Sequence, residues 1–196
     1  MRRSDGITRA GYTLVEVMIS IAVIGIMAGA AVPLFQPDVA SQLEAFGQIV
    51  AADLAHVRNL ATTNNSKYRL TFERSENRYF LEHSGTNSAL NNLPATIYRH
   101  ASNTPTRQYT DLDDLPQLGA GGFLESVFAP ASPPTSVTTI EFGPLGSTTQ
   151  TAETVVWLSS GAGDGRRYLA VRVNPTTGLA DADSITAVAP ATGSGS

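Results

Sequence analysis

The chain has 196 residues, enough for one ordinary domain with short appendages. Its formal net charge of −4 gives no general attraction for nucleic acid, and the absence of cysteine excludes disulfides, thiol catalysis and thiolate metal sites. Export stays open, because a domain of this size can bury a sufficient core without disulfides.

A short polar segment precedes a long apolar one at the N-terminus. The first ten residues carry three arginines, and from Tyr12 to Phe35 the only charged residue is Glu16. Tyr12 to Val32 would form a helix of roughly 31 Å, which matches a hydrocarbon core about 30 Å thick. The preceding arginines favour a cytoplasmic N-terminus, so the sequence predicts a single span with the rest of the chain beyond the membrane.

Two features distinguish this segment from a plain anchor. A carboxylate inside an apolar span is costly and usually has a partner, so Glu16 is a candidate functional residue. The junction of Gly11 and Tyr12 lies before the apolar segment, whereas a signal peptidase cuts after it. Residues 28–30 offer such an ordinary cleavage site, but Glu16 would then interrupt the apolar region of a signal peptide without reason.

The segment Gly11-Tyr-Thr-Leu-Val-Glu-Val-Met-Ile-Ser resembles the processing site of type IV pilins and type II secretion pseudopilins. In that family a prepilin peptidase cuts after the glycine and methylates the new N-terminal amine. The resemblance implies cleavage between Gly11 and Tyr12 and N-methylation of Tyr12. Glu16 becomes the fifth mature residue, where the family carries its glutamate. Because a lone carboxylate and a lone ammonium are both costly in an apolar core, we expect Glu16 to pair with the Tyr12 amine of a neighbouring subunit during assembly. The alternative is a pair within its own chain, since the two residues lie four apart on one helix face. The cleavage would change the net charge from −4 to −6, since the leader holds three arginines and one aspartate.

The resemblance also implies where the long helix is interrupted. Gly25 and Pro33 match the family's glycine and its helix-breaking proline, and together with Gly29 they form the predicted helix break. After Pro37 the pattern becomes amphipathic, with apolar residues at steps of three and four. These apolar positions are Val39, Leu43, Phe46, Ile49, Val50, Leu54, Val57 and Leu60. The polar positions, mostly away from that face, are Asp38, Glu44, Gln48, Asp53 and Arg58.

Short alternating segments follow and predict half-buried antiparallel strands. The predicted strands are 68–72, 78–82, 137–142, 154–159 and 167–173. Gly161 to Gly165 is predicted to be a hairpin turn, because it lacks the Lys-Ser/Thr of a phosphate loop, and residues 174–178 form another turn. Residues 83–134 are predicted to be a long loop region with one strand near Ile97 and Tyr98.

A helix followed by strands predicts the α+β class, with antiparallel sheet packed on the helix, which fits the pilin fold. The predicted organisation is a leader peptide (1–11), a transmembrane and assembly helix (12–35), a periplasmic globular domain (36–188) and a flexible tail (189–196). Residues 39–178 are also similar, more loosely, to the minor-pilin subclass called GspH or FimT.

Catalytic and metal-binding patterns are not found in the sequence. Asp111, Asp113 and Asp114 resemble a fragment of a calcium loop, but they lack regular ligand spacing and a closing glutamate. The three histidines have no metal-ligand spacing, and solvated or helix-face positions are expected for His56, His83 and His100. The sequence therefore predicts a protein that is not an enzyme and that has no cofactor and no metal.

The resemblance thus implies a minor pilin or pseudopilin of the inner membrane, extracted into a type II secretion pseudopilus or a type IV pilus and supporting protein secretion. Its expected partners are the prepilin peptidase, other pilins, the inner-membrane assembly platform and the inner membrane itself. The alternatives are a FimT-like minor pilin in DNA uptake and an anchored exported binding protein. DNA uptake would favour an exposed basic surface, so the acidic mature chain makes a nucleic-acid partner unfavourable.

Overall fold

The computed structural model describes residues 12–31, 38–95, 100–115, 121–129 and 135–190, with side chains in the first range described as far as Met27. The chain divides into two compact units, Met1–Pro37 and Asp38–Ser196. The first unit contains helix α1 (Leu14–Ala31). The second contains helix α2 (Val39–Thr63) and the strands of the described residues.

Helix α2 forms where the apolar stripe predicted it. One face of the helix is buried, and its buried residues are Leu43, Phe46, Gly47, Val50, Leu54, Val57 and Ala61. Asn64 caps the C-terminal end of the helix, and its backbone N–H donates to the carbonyl oxygen of Leu60. Asn65 follows with a positive φ of 47°, a conformation that asparagine tolerates better than most residues. The chain thereby leaves the helix and enters the first strand within a few residues.

Nine strands in the described residues form two antiparallel sheets. They are β1 (Tyr68–Glu73), β2 (Arg78–His83), β3 (Arg107–Asp111), β4 (Gly122–Ala129), β5 (Thr135–Ser136), β6 (Thr139–Phe142), β7 (Thr154–Ser160), β8 (Arg167–Val173) and β9 (Ala180–Ala182). The first sheet has the order β3-β2-β1-β6 and the second β5-β4-β7-β8-β9. Helix α2 packs on strands of both sheets, so one apolar core lies beneath it. The predicted α+β architecture is confirmed, with the antiparallel strands divided between two sheets.

The predicted strands agree with β1, β2, β6, β7 and β8. Leu169, Val171 and Val173 share the buried face of β8, as their alternation predicts. Gly161 to Gly165 connects the paired strands β7 and β8, so the hairpin prediction is confirmed. The turn at residues 174–178 is also confirmed, since the Gly178 N–H donates to the Asn174 carbonyl oxygen at 2.8 Å.

The prediction of a loop region over residues 83–134 is wrong in part, because β3 and β4 lie within it. Strand β4 pairs with β7 along most of its length, but its register shifts between Leu124 and Ser126. The shift places both Leu124 and Val127 in the core, three residues apart. A bulge of this kind breaks the alternation by which a strand is recognised in a sequence. The strand predicted near Ile97 and Tyr98 lies outside the described residues.

Candidate functional site

The first turn of α1 is held by a side-chain cap. Thr13 immediately precedes the helix, and its Oγ1 accepts a hydrogen bond from the backbone N–H of Glu16 at 3.2 Å. This is the N-cap arrangement in which threonine satisfies a backbone donor of the first turn. Glu16 stands at the third helical position, where a capping box places its acidic residue. Thr13 and Glu16, which belong to the segment that resembles a prepilin processing site, therefore also form the start of the helix.

The side chains of helix α1 form a largely apolar surface. Every side chain from Tyr12 to Met27 is exposed. The large apolar ones among them are Tyr12, Leu14, Val15, Val17, Met18, Ile19, Ile21, Val23, Ile24, Ile26 and Met27. Exposed apolar surface of this extent is typical of a protein or membrane interface. Among the helices of the described residues, however, none has both the length and the apolarity required to cross a membrane.

The carboxylate of Glu16 has no partner among the described residues. Its backbone carbonyl oxygen accepts from the Ser20 hydroxyl at 2.8 Å, so only the backbone of Glu16 is engaged within the helix. The helix continues through Gly25 and Gly29 without interruption. Gly11 and Pro33 lie outside the described residues, so cleavage at Gly11 and a helix break at Pro33 stay predictions.

A second arrangement of interest joins α2 to the first sheet. Asp53 is one of the polar positions predicted to lie mostly away from the apolar face, and in the structure it is partly buried beneath β2 and β3. Its Oδ2 accepts hydrogen bonds from the Tyr79 hydroxyl at 2.8 Å and from the Thr110 hydroxyl at 3.1 Å. Burial raises the pKa of the Asp53 carboxyl, against the opposing effects of these two hydrogen bonds and of nearby His56. Burial and the adjacent carboxylate also raise the pKa of Tyr79, which keeps the phenol a donor.

The three aspartates that resemble a fragment of a calcium loop do not converge on one point. Asp113 accepts from the side-chain amide of Asn77 at 2.8 Å, whereas Asp111 and Asp114 face His100. The Nε2 of His100 lies 3.3 Å from Asp114 Oδ2 and 3.8 Å from Asp111 Oδ2. These three residues could each offer a metal one atom within a 4.8 Å cluster, a grouping that sequence spacing does not reveal.

The hydrogen bonding of His100 works against metal binding at this cluster. Its Nδ1 accepts from the backbone N–H of Ser102 at 3.1 Å, so the neutral ring carries its proton on Nε2. A ligating histidine ordinarily donates from its other nitrogen to an acceptor, which is the reverse arrangement. The cluster is therefore suited to donation from Nε2 to a carboxylate.

His83 also departs from the solvated position expected for it. It lies between the Ser66 hydroxyl, 2.7 Å from Nε2, and the Asn91 side-chain oxygen, 2.8 Å from Nδ1. Its ring also packs edge-on against Tyr68. Both ring nitrogens are engaged, so His83 is a structural link between β2 and the neighbouring loops.

Comparison with known proteins supports the motif at the N-terminus. Residues 7–32 match the family described as the prokaryotic N-terminal methylation motif, so the predicted resemblance to type IV pilin-like proteins is confirmed over that segment. No curated protein sequence matches the chain significantly.

Two solved structures are similar, both of the type IV minor pilin FimU from Pseudomonas aeruginosa in different crystal forms. One is 14% identical, with a TM-score of 0.42, covering 72% of this chain and 92% of that one. The other is 12% identical, with a TM-score of 0.44, covering 74% and 89%.

Proposed function

We propose that this chain, which carries a prepilin-type N-terminus, is a structural subunit of a type IV pilus or type II secretion pseudopilus. The observation that supports this most strongly is the exposed apolar helix α1 inside the matched methylation motif. A helix that is apolar all round requires either lipid or other helices as its surroundings. The inner membrane would surround the helix with lipid before assembly, and the helices of other pilins would surround it in the filament.

The processing steps follow from the same motif. We propose that prepilin peptidase cuts between Gly11 and Tyr12 and that the new amine of Tyr12 is methylated. The second unit of the chain would then lie in the periplasm, anchored by residues 12–35 until the subunit is drawn onto the assembly platform. Secretion is the role we favour within this class.

Glu16 would act in assembly through its charge. A lone carboxylate in an apolar environment carries a penalty of several kcal/mol, and so does a lone ammonium. Pairing Glu16 of one subunit with the Tyr12 amine of a neighbour relieves both penalties and fixes the axial register of the two helices. Methylation keeps the positive charge, so the pairing survives it. The alternative is a pair within one chain, because Tyr12 and Glu16 lie four residues apart on one helix face.

The first experiment is mass spectrometry of the mature N-terminus. The expected product begins with N-methylated Tyr12. A product beginning at Ala31, or an intact Met1, would refute the pilin proposal, because either places the cut where another pathway would make it.

The second experiment is the substitution Glu16→Val, followed by co-purification with partner pilins. Insertion and cleavage are expected to continue, since the span becomes more apolar, while incorporation into the filament or its tip is lost. Thr13→Val removes the cap, worth about 1 kcal/mol, but leaves the charge, so it separates a helix-capping role from a pairing role. Glu44→Gln, at an exposed acid on α2, is the matched control. Normal incorporation of Glu16→Val would contradict intersubunit pairing.

A further inference from the structure

The second unit contains a cavity of about 540 Å³ between α2 and the β3 edge of the first sheet. Its walls are mainly apolar, with Ile49 and Val57 from the helix and Leu70 and Leu81 from the strands. A cavity of a few hundred cubic ångströms with mostly apolar walls has the size of a small-molecule site.

Asp53 is the only carboxylate among the described residues that line this cavity, and His56 from the same helix also lines it. Tyr79, Thr110 and Gln108 line the wall opposite the helix. Both hydrogen bonds that Asp53 receives end on Oδ2. No described residue donates to Oδ1, and no described cation forms an ion pair with this carboxylate.

Burial and hydrogen bonding have opposing effects on the ionised carboxyl of Asp53, and their sum indicates that an opposite charge is missing from the described residues of the cavity. Burial outweighs the two hydrogen bonds and the influence of His56, so the ionised carboxyl is incompletely compensated. A buried charge of this kind is stabilised by an opposite charge that also donates a hydrogen bond. The apolar walls would at the same time favour a hydrophobic body attached to that charge.

We propose that this cavity binds a small organic cation, an ammonium or amidinium group on an apolar body, with its charged N–H groups donating to Asp53. The apolar body lies against Ile49, Val57, Leu70 and Leu81. All the lining residues belong to the second unit, so the proposal does not depend on the proposed role of the chain as a pilin subunit.

The test uses two probes of nearly the same shape, the cation benzamidine and the neutral amide benzamide. Each is titrated into the full-length protein in a neutral detergent while the methyl NMR signals of the cavity residues are followed. Benzamidine is expected to shift those signals saturably, with a Kd below about 1 mM, and benzamide to bind at least about tenfold more weakly. Equal binding of the two probes, or no saturable shift with benzamidine, would overturn the proposal.

The variant Asp53→Asn tests whether the preference for benzamidine over benzamide depends on this carboxylate. Asparagine keeps an oxygen that can accept from both hydroxyl groups, so the fold is expected to survive, as the methyl spectrum would report. Benzamidine is expected to bind at least about tenfold more weakly to this variant, with benzamide unaffected. Glu44→Gln removes an exposed acid from the same helix and is expected to change neither affinity. Unchanged benzamidine binding in Asp53→Asn would also overturn the proposal.

Discussion

Gly178 offers a direct test of how tightly the second unit is packed. It closes the turn after β8 with a φ of +64°, and a Cβ built there would lie 1.9 Å from the backbone carbonyl oxygen of Gly146. The same turn is tied to α2, because Arg58 Nε donates to the carbonyl oxygen of Thr177 at 2.8 Å. The Thr177 carbonyl therefore cannot move away without breaking this contact to α2.

The expected cost of Gly178→Ala has two parts. A left-handed conformation costs an L-residue about 1–2 kcal/mol, and forcing a methyl group into a packed site adds about 1–3 kcal/mol. Together these predict a loss of about 2–5 kcal/mol in the free energy of unfolding. Two other glycines allow the conformational cost to be measured apart from the cost of the close contact. Gly163 has a φ of +55° with open space around it, so it tests the conformation alone. Gly165 has neither a positive φ nor a neighbour within 4 Å, so it tests neither cost.

The assay is urea unfolding followed by the fluorescence of Trp157, the only tryptophan in the chain. Gly163→Ala is expected to cost about 1–2 kcal/mol. Gly165→Ala is expected to be neutral, or to stabilise by up to about 1 kcal/mol through the unfolded state. If Gly178→Ala were no more destabilising than Gly163→Ala, the close approach to Gly146 would carry no energetic cost and the reasoning would fail.

Three further predictions concern stability. Leu54 is fully buried and Leu145 is 92% exposed. In urea unfolding, Leu54→Ala is therefore expected to lower the free energy of unfolding by about 2–5 kcal/mol and Leu145→Ala by less than about 0.5 kcal/mol. Similar losses for the two variants would contradict the assigned core. The pKa of Asp53 is raised in the folded protein, so its stabilising contribution to the free energy of unfolding is complete below its ordinary pKa and is lost as pH rises through the folded pKa. Asp53→Asn is therefore expected to gain stability relative to the native protein between about pH 4 and pH 7. A difference in the free energy of unfolding that stays constant over this range would refute the prediction. Deleting residues 1–37 is expected to leave a soluble protein with a cooperative thermal transition by circular dichroism, since the second unit has its own core; aggregation without a transition would place the boundary elsewhere.

Helix α2 could be predicted from the sequence because one face of it packs on the core and the other faces solvent. A helix that buries one face repeats its apolar residues at the helical period, and Leu43, Phe46, Val50 and Leu54 do so without interruption. Paired strands of alternating pattern were equally visible. Strand β4 was not, since its bulge changes which residues face the core, and that change depends on its partner β7.

The carboxylate of Asp53 shows why candidate sites are harder to predict than elements. On the helix alone it is one polar residue among several. Its partners Tyr79 and Thr110 come from two strands, one of which was predicted as loop. The cluster around His100 has the same origin, since it joins a loop residue to aspartates at and just beyond the end of β3. Contacts between residues so distant in sequence leave no local pattern.

The Thr13 cap has a consequence for processing by a peptidase. Thr13 would be the second residue of a chain cut after Gly11, so the cap belongs to the mature protein and the helix would keep its first turn when the leader leaves. The new ammonium at Tyr12 would then lie beside the positive end of the helix dipole, which disfavours a cation. Release of the leader would thus create an electrostatic conflict at the helix start. A carboxylate beside the new ammonium would resolve it. If that carboxylate is the Glu16 of a neighbouring subunit, as proposed above, the cut itself would prepare the subunit to accept a neighbour.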